Sequence, residues 1–494
     1  MNNKFINSVC FIRKYGRPNA AEKDIYRSLQ EQIKLNTQYG FPATYLLQYD
    51  ALTDKGFQEL VFPQKQNHAE IGCWFEVVAP LVEKAGLSWR GREGWIWDYH
   101  VDPGFLMSYP KAEKKKIIDA YMKEFKTLLG EYPKTVGSWL IDSESMEYMS
   151  EKYKVDAFIL CREQWGMDGY TLWGGPHYGA YYPCKNNSQC PAQTQREQIN
   201  TPVFRMFVND PLYCYYEHDK MKYNKIDCGL FTQEPAWRCG QDPEWVKWAF
   251  DSIYQDKNVG FEYLQLGQES SFEWENRVEK GMPMQCEFVK ENAERYGYET
   301  VTVGEMGKRF KKEFSETPIT ARIALTDWAN KGNKTVWFNN KNYRINLYSD
   351  TEKVWIRDIH LFSEQYRDLY LDTPCTTHFG IYDNLPIVDG VRFSDDTVQA
   401  GIFLGNGRIL DAFAEDDYYA VILNANDKVL AFRFYEDRIE LLGESTLHFV
   451  HMQSCPFITD ESETAVSYVH HGLHYSMNLK KEEEKTVFTF SLVK

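Results

Sequence analysis

The first two-thirds of the chain alternates short apolar runs with stretches of helical periodicity. The run at 8–12 is followed by 21–39, where Ile25, Leu29 and Ile33 recur every four residues. The segment 111–129 is a second amphipathic helix, with Gly130 as its stop. Further strands are predicted at 43–48, 69–74, 135–141, 157–161, 203–208, 229–232 and 261–266. Seven or eight β-then-α units in about 300 residues predict a parallel α/β barrel of the (β/α)7, TIM-like type, complete or incomplete.

The pattern changes after about residue 314. Short alternating strands, separated by turn residues and almost without helix, then continue to the end and predict a β-sandwich. They are expected at 335–338, 343–348, 354–356, 418–423, 429–434, 439–442 and 486–492. We therefore expect a catalytic barrel over 1–315 and an accessory β-sandwich over 316–494. Because no Gly/Ser/Pro-rich linker separates them, the sandwich is expected to support the barrel rim or extend its groove.

Charge and hydropathy exclude some partners. The net charge of −15 argues against nucleic acid, because phosphate binding needs a basic face. No run approaches the ~18 apolar residues of a membrane span, so no membrane partner is expected. The N-terminus lacks the apolar core of a secretory signal, which predicts a cytoplasmic protein if Met1 is the native start. Eleven cysteines, several within apparent strands, favour reduced thiols.

Carboxylates follow many of the predicted barrel strands. In a parallel barrel these positions share one rim, where active sites lie. The rim carboxylates are Asp50, Glu76, Asp98, Asp142, Glu144, Asp210, Glu234 and Glu269. Cleavage of a glycosidic bond needs an acid and a nucleophile or base, so Asp142, Glu234, Asp98 and Glu269 are the catalytic candidates. Each also has a structural interpretation: a helix N-cap for Asp142, a loop fixed by Pro235 for Glu234, an ion pair or turn for Asp98 and a cap for Glu269.

Aromatic residues make up 16% of the chain, and many lie at probable strand ends. Such side chains stack on sugar rings, and hydroxyl and carboxylate groups beside them bind sugar hydroxyls. The substrate-binding candidates are Asp50, Trp74, Trp97, His100, Trp165, Tyr170, Trp173, His177 and Trp237. Four of these nine lie in 162–191, thirty residues without periodicity; the alternative for that segment is a self-packed loop over the barrel mouth.

Histidines are few in the first domain, and none pairs with another at a spacing of three to five residues. The four are His68, His100, His177 and His218. This pattern predicts no metal site, and no motif indicates another cofactor. His470 and His471, in the second domain, are interpreted as surface or core positions.

Four segments resemble the glycoside hydrolase/deacetylase superfamily, and within it the proteins of gut Bacteroidetes that pair a barrel with a C-terminal β-domain. They are 70–74 (EIGCW), 137–142 (GSWLID), 164–170 (QWGMDGY) and 266–272 (LGQESSF). The resemblance implies a seven-stranded barrel and a carbohydrate substrate. Metal-dependent deacetylases of the superfamily have a histidine where Trp74 stands and two aspartates where 13–16 (RKYG) stands. This departure favours the metal-free glycosidases, for whose two carboxylates Asp142 and Glu234 are the nearest positional matches.

The leading hypothesis is therefore a metal-independent glycoside hydrolase acting on an oligo- or polysaccharide. Asp142 is assigned as nucleophile or base and Glu234 as acid, with Asp98 and Glu269 in reserve. One alternative is a deacetylase with a rearranged metal site around His68, Asp98 and His100. The other is a glycan-binding protein without catalysis.

Overall fold

Seven parallel strands of the described residues form a nearly closed barrel in the first part of the computed structural model. The model describes residues 4–14, 24–167, 169–206, 210–213, 222–223, 226–227, 242–254, 259–394, 398–450, 457–462 and 464–493. The barrel strands are β1 (Lys4–Ile12), β2 (Ala43–Leu47), β3 (Glu70–Trp74), β4 (Thr135–Ser138), β5 (Ala157–Leu160), β6 (Val203–Arg205) and β7 (Glu262–Leu266). Their order is β7-β1-β2-β3-β4-β5-β6, and every neighbouring pair is parallel. The predicted (β/α)7-type barrel is confirmed.

The barrel is nearly closed between β6 and β7. Beyond β6 the sheet continues with the antiparallel strand Ala180–Tyr181. Tyr263 on β7 donates a hydrogen bond of 2.8 Å from its hydroxyl to the carbonyl oxygen of Arg205 on β6. On the other side of β7, Gly267 passes so close to β1 that an added Cβ would lie 1.8 Å from the carbonyl oxygen of Val9. Only glycine fits there, and β7 can therefore end tightly against β1.

Helices cover the barrel, and the clearest of them matches its prediction residue for residue. Lys111–Leu129 buries Ile117, Tyr121 and Phe125 and ends at Gly130 in the left-handed conformation. The α-helices are Arg27–Tyr39, Tyr49–Leu52, Lys55–Val61, Ala79–Lys84, Val101–Gly104, Lys111–Leu129, Ser143–Tyr153, Pro243–Asp251, Gly281–Ala293 and Val303–Glu313. Shorter turns are the 3-10 segments Phe62–Asn67 and Leu106–Ser108 and the π segment Trp274–Val278. None of the described helices combines the length and apolar character of a membrane span.

Some predicted bounds differ from the structure. The strand predicted at 135–141 ends at Ser138, because Asp142 caps the next helix and 139–141 turn towards it. The helix predicted from residue 21 begins at Arg27, with 15–23 outside the described residues. The strand predicted at 229–232 also lies outside the described residues.

The second part of the chain is antiparallel β-structure, as predicted. Its strands are Thr320–Ala324, Lys334–Asn339, Tyr343–Ser349, Lys353–Leu361, Gly380–Tyr382, Leu385–Asp389, Gly401–Ala414, Tyr419–Ala425, Lys428–Phe434, Arg438–Leu442, His448–Val450, Ile458–Glu461, Ala465–His470, Leu473–Lys481 and Lys485–Val493. The long strand Gly401–Ala414 pairs with Lys353–Leu361 along its first part and with Tyr419–Ala425 along its second. Phe338 and Phe434, on strands that are not neighbours, pack with ring centroids 5.3 Å apart. The sheet thus folds over one apolar core, as in a sandwich.

The two parts of the chain share backbone pairing. The strand Gly380–Tyr382, between sandwich strands, runs parallel to Tyr170–Leu172 in the long barrel insertion. Tyr170–Leu172 in turn forms a hairpin with Gln164–Met167. The insertion at 162–191 is therefore fixed between barrel and sandwich instead of lying over the barrel as a free loop.

Candidate active site at the carboxyl ends of the barrel strands

Arg13, the first residue after β1, lies between two glutamates at the barrel rim. Its Nη2 is 2.5 Å from Oε2 of Glu269, which follows β7, and its Nη1 is 3.6 Å from Oε1 of Glu76, which follows β3. All three side chains are buried. Burial opposes the charge of Arg13, but the two glutamates raise its pKa above the ordinary value. We call Arg13, Asp50, Glu76 and Glu269 the Arg13 cluster.

Glu76 is the member of the cluster whose protonation is most altered. Its Oε2 accepts hydrogen bonds from Nε2 of Gln48 at 2.8 Å and from Nε1 of Trp74 at 2.7 Å. Burial raises the pKa of Glu76 to about 7. The charge of Arg13 and the hydrogen bond from Trp74 act to lower this pKa, whereas the charges of Glu269 and Asp50 act to raise it further. Its Oε1 accepts no hydrogen bond from the described residues. Glu76 is thus partly protonated near neutral pH, and its Oε1 is buried beside Nη1 of Arg13.

Asp50 and Glu269 complete the set of carboxyl groups. Asp50 lies in the short helix after β2, and its Oδ1 accepts a hydrogen bond of 2.7 Å from the backbone N–H of Ala51. Burial raises the pKa of Asp50 to about 6, against the opposing influence of backbone N–H groups and of Lys14 and Arg13. Glu269 accepts hydrogen bonds from Arg13 and from the hydroxyl of Ser271. Arg13 thus pairs with two buried glutamates, and Asp50 is a third buried carboxyl group near it and Lys14.

Aromatic side chains surround the cluster. The ring of Trp74 stacks on Phe11 at 4.1 Å and meets the half-buried Trp139 edge-on at 5.5 Å. Trp97 lies with its ring centroid 4.8 Å from Cζ of Arg13. Tyr170 is close enough to contribute to the raised pKa of Arg13. Of the predicted site residues, Glu269, Asp50, Trp74, Trp97 and Tyr170 are thus brought together. Trp74 is fully buried, and its contact with the cluster is the hydrogen bond to Glu76.

Asp98 and His100 lie in a second group beside Trp97. The carboxylate of Asp98 accepts bonds from Nε and Nη2 of Arg92 at 2.8 and 2.7 Å. Burial would raise the pKa of Asp98, but Arg92 and the backbone N–H of His100 lower it below its usual range. The ring of His100 stacks at 4.0 Å on His378 from the second part of the chain. Asp98 therefore forms an ion pair with Arg92, which is the structural interpretation given for it from the sequence.

Both carboxylate oxygens of Asp142 accept hydrogen bonds from neighbouring residues. Its Oδ1 accepts from the backbone N–H of Ser145 and from Nζ of Lys114, both at 3.0 Å, and its Oδ2 accepts from the hydroxyl of Ser145 at 2.8 Å. The side chain has no exposed surface. Asp142 thus caps the helix Ser143–Tyr153 and pairs with a buried lysine.

Trp173 and His177 lie between barrel and sandwich. Nε1 of Trp173 donates to Oδ2 of Asp389 at 2.9 Å, and the ring of His177 stacks on Trp337 at 3.8 Å. Both are buried, and burial lowers the pKa of His177 to about 3. These two contacts are with the sandwich, and Nδ1 of His177 also lies 3.7 Å from Oε2 of Glu163 in the insertion. Glu234 and Trp237 lie outside the described residues, as does the side chain of Trp165.

The residues at the rim do not fit the metal of the superfamily's deacetylases. Arg13 occupies the position of the first-strand aspartates and already neutralises Glu76 and Glu269. Trp74, in place of a histidine, offers an N–H donor instead of a lone pair. The alternative set of His68, Asp98 and His100 is not brought together, because His68 is exposed just before β3, at the opposite end of that strand from the rim. That ligand set was wrong.

Sequence reasoning missed two members of the cluster as site residues. Glu76 was recognised only as one of several rim carboxylates, and Arg13 only as a departure from the deacetylase pattern. The signal was present, since each follows a strongly apolar run by one or two residues. What the sequence lacks is any sign that Arg13 and Glu269, 256 positions apart, form an ion pair.

Comparison with known proteins supports the fold. No protein-family model and no curated protein sequence matches the chain. A solved structure from Parabacteroides distasonis, provisionally described as a glycoside hydrolase/deacetylase, is 15% identical and matches with a TM-score of 0.54 over 78% of this chain and 90% of that one.

Two other solved structures align with lower TM-scores. One, from Pseudomonas aeruginosa and provisionally described as a polysaccharide deacetylase, is 12% identical over 63% of this chain and 92% of its own, with a TM-score of 0.38. The other, a 4-alpha-glucanotransferase from Thermococcus litoralis, is 8% identical over 100% of this chain and 98% of its own, with a TM-score of 0.32. The chain shares its fold with the Parabacteroides distasonis structure, in agreement with the superfamily that its sequence segments resemble.

Proposed function

We propose that the protein is a carbohydrate-active hydrolase that cleaves a glycosidic bond at the Arg13 cluster without a metal ion. The observation that carries the proposal is the arrangement of Glu76 and Glu269 around one guanidinium at the barrel rim. Glycosidic hydrolysis needs one protonated and one ionised carboxyl group at the same bond. A buried pair in which one member titrates near pH 7 and the other is bound to a permanent cation meets this need.

Glu76 is assigned as the acid. With a pKa of about 7 it holds a proton in a large fraction of molecules at neutral pH, and it can give that proton to the leaving oxygen as the bond to the anomeric carbon breaks. Its Oε1 accepts no hydrogen bond from the described residues and is assigned to carry the proton. Gln48 and Trp74 hold the other oxygen and so fix the orientation of the carboxyl group.

Glu269 is assigned as the nucleophile or base. Arg13 and Ser271 both donate hydrogen bonds to its side chain and fix its orientation. It either attacks the anomeric carbon directly or takes a proton from the attacking water. If Glu269 attacks, water then breaks the glycosyl ester, its proton passes to the ionised Glu76, and Glu269 leaves as a carboxylate. If Glu269 acts as base, it takes the proton of the attacking water, and both carboxyl groups return to their starting states by proton exchange with solvent. In both cases water supplies the hydroxyl of the new reducing end, and the proton first given up by Glu76 remains on the leaving sugar.

Aromatic faces and Asp50 are assigned to substrate binding. Trp139 is half-buried beside Trp74, and Trp97 and Tyr170 lie near Arg13. Sugar rings stack on such faces through their apolar C–H surfaces. Asp50 is placed to accept hydrogen bonds from sugar hydroxyls.

The test is a screen of oligosaccharides and polysaccharides, followed by variants on any substrate that is cleaved. We expect Glu269→Gln and Glu76→Gln each to lower kcat by at least about 100-fold. The matched control is Glu144→Gln, a rim carboxylate that pairs with Lys111 outside the cluster. Retained turnover in both cluster variants would contradict the assignment. Tight oligosaccharide binding without any product would favour a glycan-binding protein, the alternative function from sequence.

A further inference from the structure

A histidine pair lies at the turn of a sandwich hairpin, far along the chain from the barrel rim. The strands Ala465–His470 and Leu473–Lys481 are antiparallel, with His470 opposite Leu473. The two turn residues, His471 and Gly472, both have positive φ, 45° and 81°. This conformation is routine for glycine and unfavourable for other residues, so the fold holds His471 in a position that its own backbone disfavours.

The turn brings both imidazoles to one carboxylate. One ligand atom from each of Asp383, His470 and His471 lies within 4.8 Å of the others. Nε2 of His470 is 2.8 Å from Oδ2 of Asp383. Asp383 and His470 are buried, whereas His471 is exposed and leaves the group open to solvent. Asp383 directly follows Gly380–Tyr382, the strand that joins the sandwich to the barrel insertion.

We propose that Asp383, His470 and His471 bind one divalent transition-metal ion, with Zn²⁺ as the best match. Two imidazole nitrogens and one carboxylate oxygen are borderline donors, which suit zinc, nickel and copper better than calcium or magnesium. Three protein ligands leave the fourth tetrahedral position to water on the exposed side of His471. The ion would lie between Nε2 of His470 and Oδ2 of Asp383, which are now 2.8 Å apart.

The groups around the three ligands already hold them in place. The hydroxyl of Tyr366 donates to Oδ1 of Asp383, leaving Oδ2 towards His470. The ring of Phe457 packs edge-on against His470 at 4.5 Å. Contacts that neighbouring residues make with the ligands of a metal ion orient those ligands and strengthen metal binding.

One nearby cation limits the affinity. Nη1 of Arg392 is 3.7 Å from Oδ2 of Asp383. The Nε of the same guanidinium is bound to Asp389, whose charge offsets it in part. We therefore expect an affinity in the micromolar range, weaker than that of a closed structural zinc site.

The test uses the full-length, tag-free protein after chelator treatment and removal of the chelator. Co²⁺ is titrated first, because its visible absorption is intense in tetrahedral N/O sites, and Zn²⁺ is then added to displace it. We expect one equivalent per chain, and at least about a 10-fold loss of affinity in His471→Ala. The control is His474→Ala, which removes an exposed histidine of the same hairpin outside the cluster and should leave the affinity unchanged.

Because the side chain of His471 is exposed, its removal should leave the metal-free melting temperature unchanged, which separates lost ligation from unfolding. Asp383→Asn, checked in the same way, should also lose Co²⁺ absorption. No absorption change in the wild-type protein, or equal affinity in His471→Ala, would overturn the proposal. The result is independent of whether the barrel cleaves a glycan.

Discussion

Arg13 and Glu269 form an ion pair with 2.5 Å between Nη2 and Oε2, across the junction of β1 and β7. The same guanidinium also contacts Glu76, which follows β3; the strand β2 lies between β1 and β3. Arg13 therefore connects the ends of the first, third and last barrel strands. The charged groups of the candidate active site thus also stabilise the barrel. Removing either partner has consequences for both folding and chemistry.

Arg13→Met is expected to destabilise the protein at pH 7 by about 3–5 kcal/mol, because it leaves buried carboxylates without their cation. The free energy of unfolding, measured in urea, checks this. At pH 5 the decrease in the free energy of unfolding should be smaller, since Glu76 and Asp50 are then largely protonated. The double variant Arg13→Met/Glu269→Gln should recover part of the loss; a single variant as stable as the wild type would contradict the burial of this pair.

Stability should fall between about pH 4.5 and 7 through Glu76. Its pKa is raised from 4.5 to about 7, so the folded state binds the proton more tightly than the unfolded state. The associated stability is complete below pH 4.5, is lost as the pH rises through about 7, and amounts to at most about 3 kcal/mol. Glu76→Gln should flatten this part of the curve of unfolding free energy against pH. Asp50, whose pKa is raised from 3.8 to about 6, keeps a slope of the same sign below about pH 6, so the flattening should be clearest between about pH 6 and 7. Glu144→Gln should keep the wild-type profile.

Asp142→Asn is expected to lower stability and leave kcat within about twofold of wild type, because Asp142 contacts Lys114 and Ser145 and not the Arg13 cluster. Asparagine can still cap the helix, so the loss comes mainly from the buried lysine and should be about 1–3 kcal/mol. Urea unfolding and initial rates on a cleaved glycan measure the two effects. A folded variant without turnover would instead restore Asp142 as nucleophile or base.

Sequence periodicity was sufficient for the architecture. The apolar runs of β1 to β7 and the amphipathic helix Lys111–Leu129 are local signals, and each was placed within a few residues. The same reasoning placed aromatic residues of the barrel insertion at the site, because a segment without periodicity resembles a binding loop. Trp173 and His177 are instead packed against the sandwich through Asp389 and Trp337. Those contacts join residues that are distant in sequence, so no local sequence pattern indicates them.

Arg13 illustrates the opposite error. An arginine directly after a strand usually has its guanidinium in water, so the apolar run before Arg13 indicates its place at the rim but not its burial. Only the closure of the barrel brings Glu269 to it and makes the charge tolerable. The site was thus partly found, through Glu269, Asp50, Trp74, Trp97 and Tyr170, and its central cation was not.

The pairing of Gly380–Tyr382 with Tyr170–Leu172 also bears on how the chain can be divided. A fragment ending near residue 315 would present an unpaired strand edge together with the apolar surface that now contacts the sandwich. Such edges attract other chains, so the isolated barrel is expected to self-associate. Exchange of the C-terminal part between relatives would need a compatible strand at this one position. The barrel part is therefore expected to stay monomeric in solution only when the sandwich is present on the same chain.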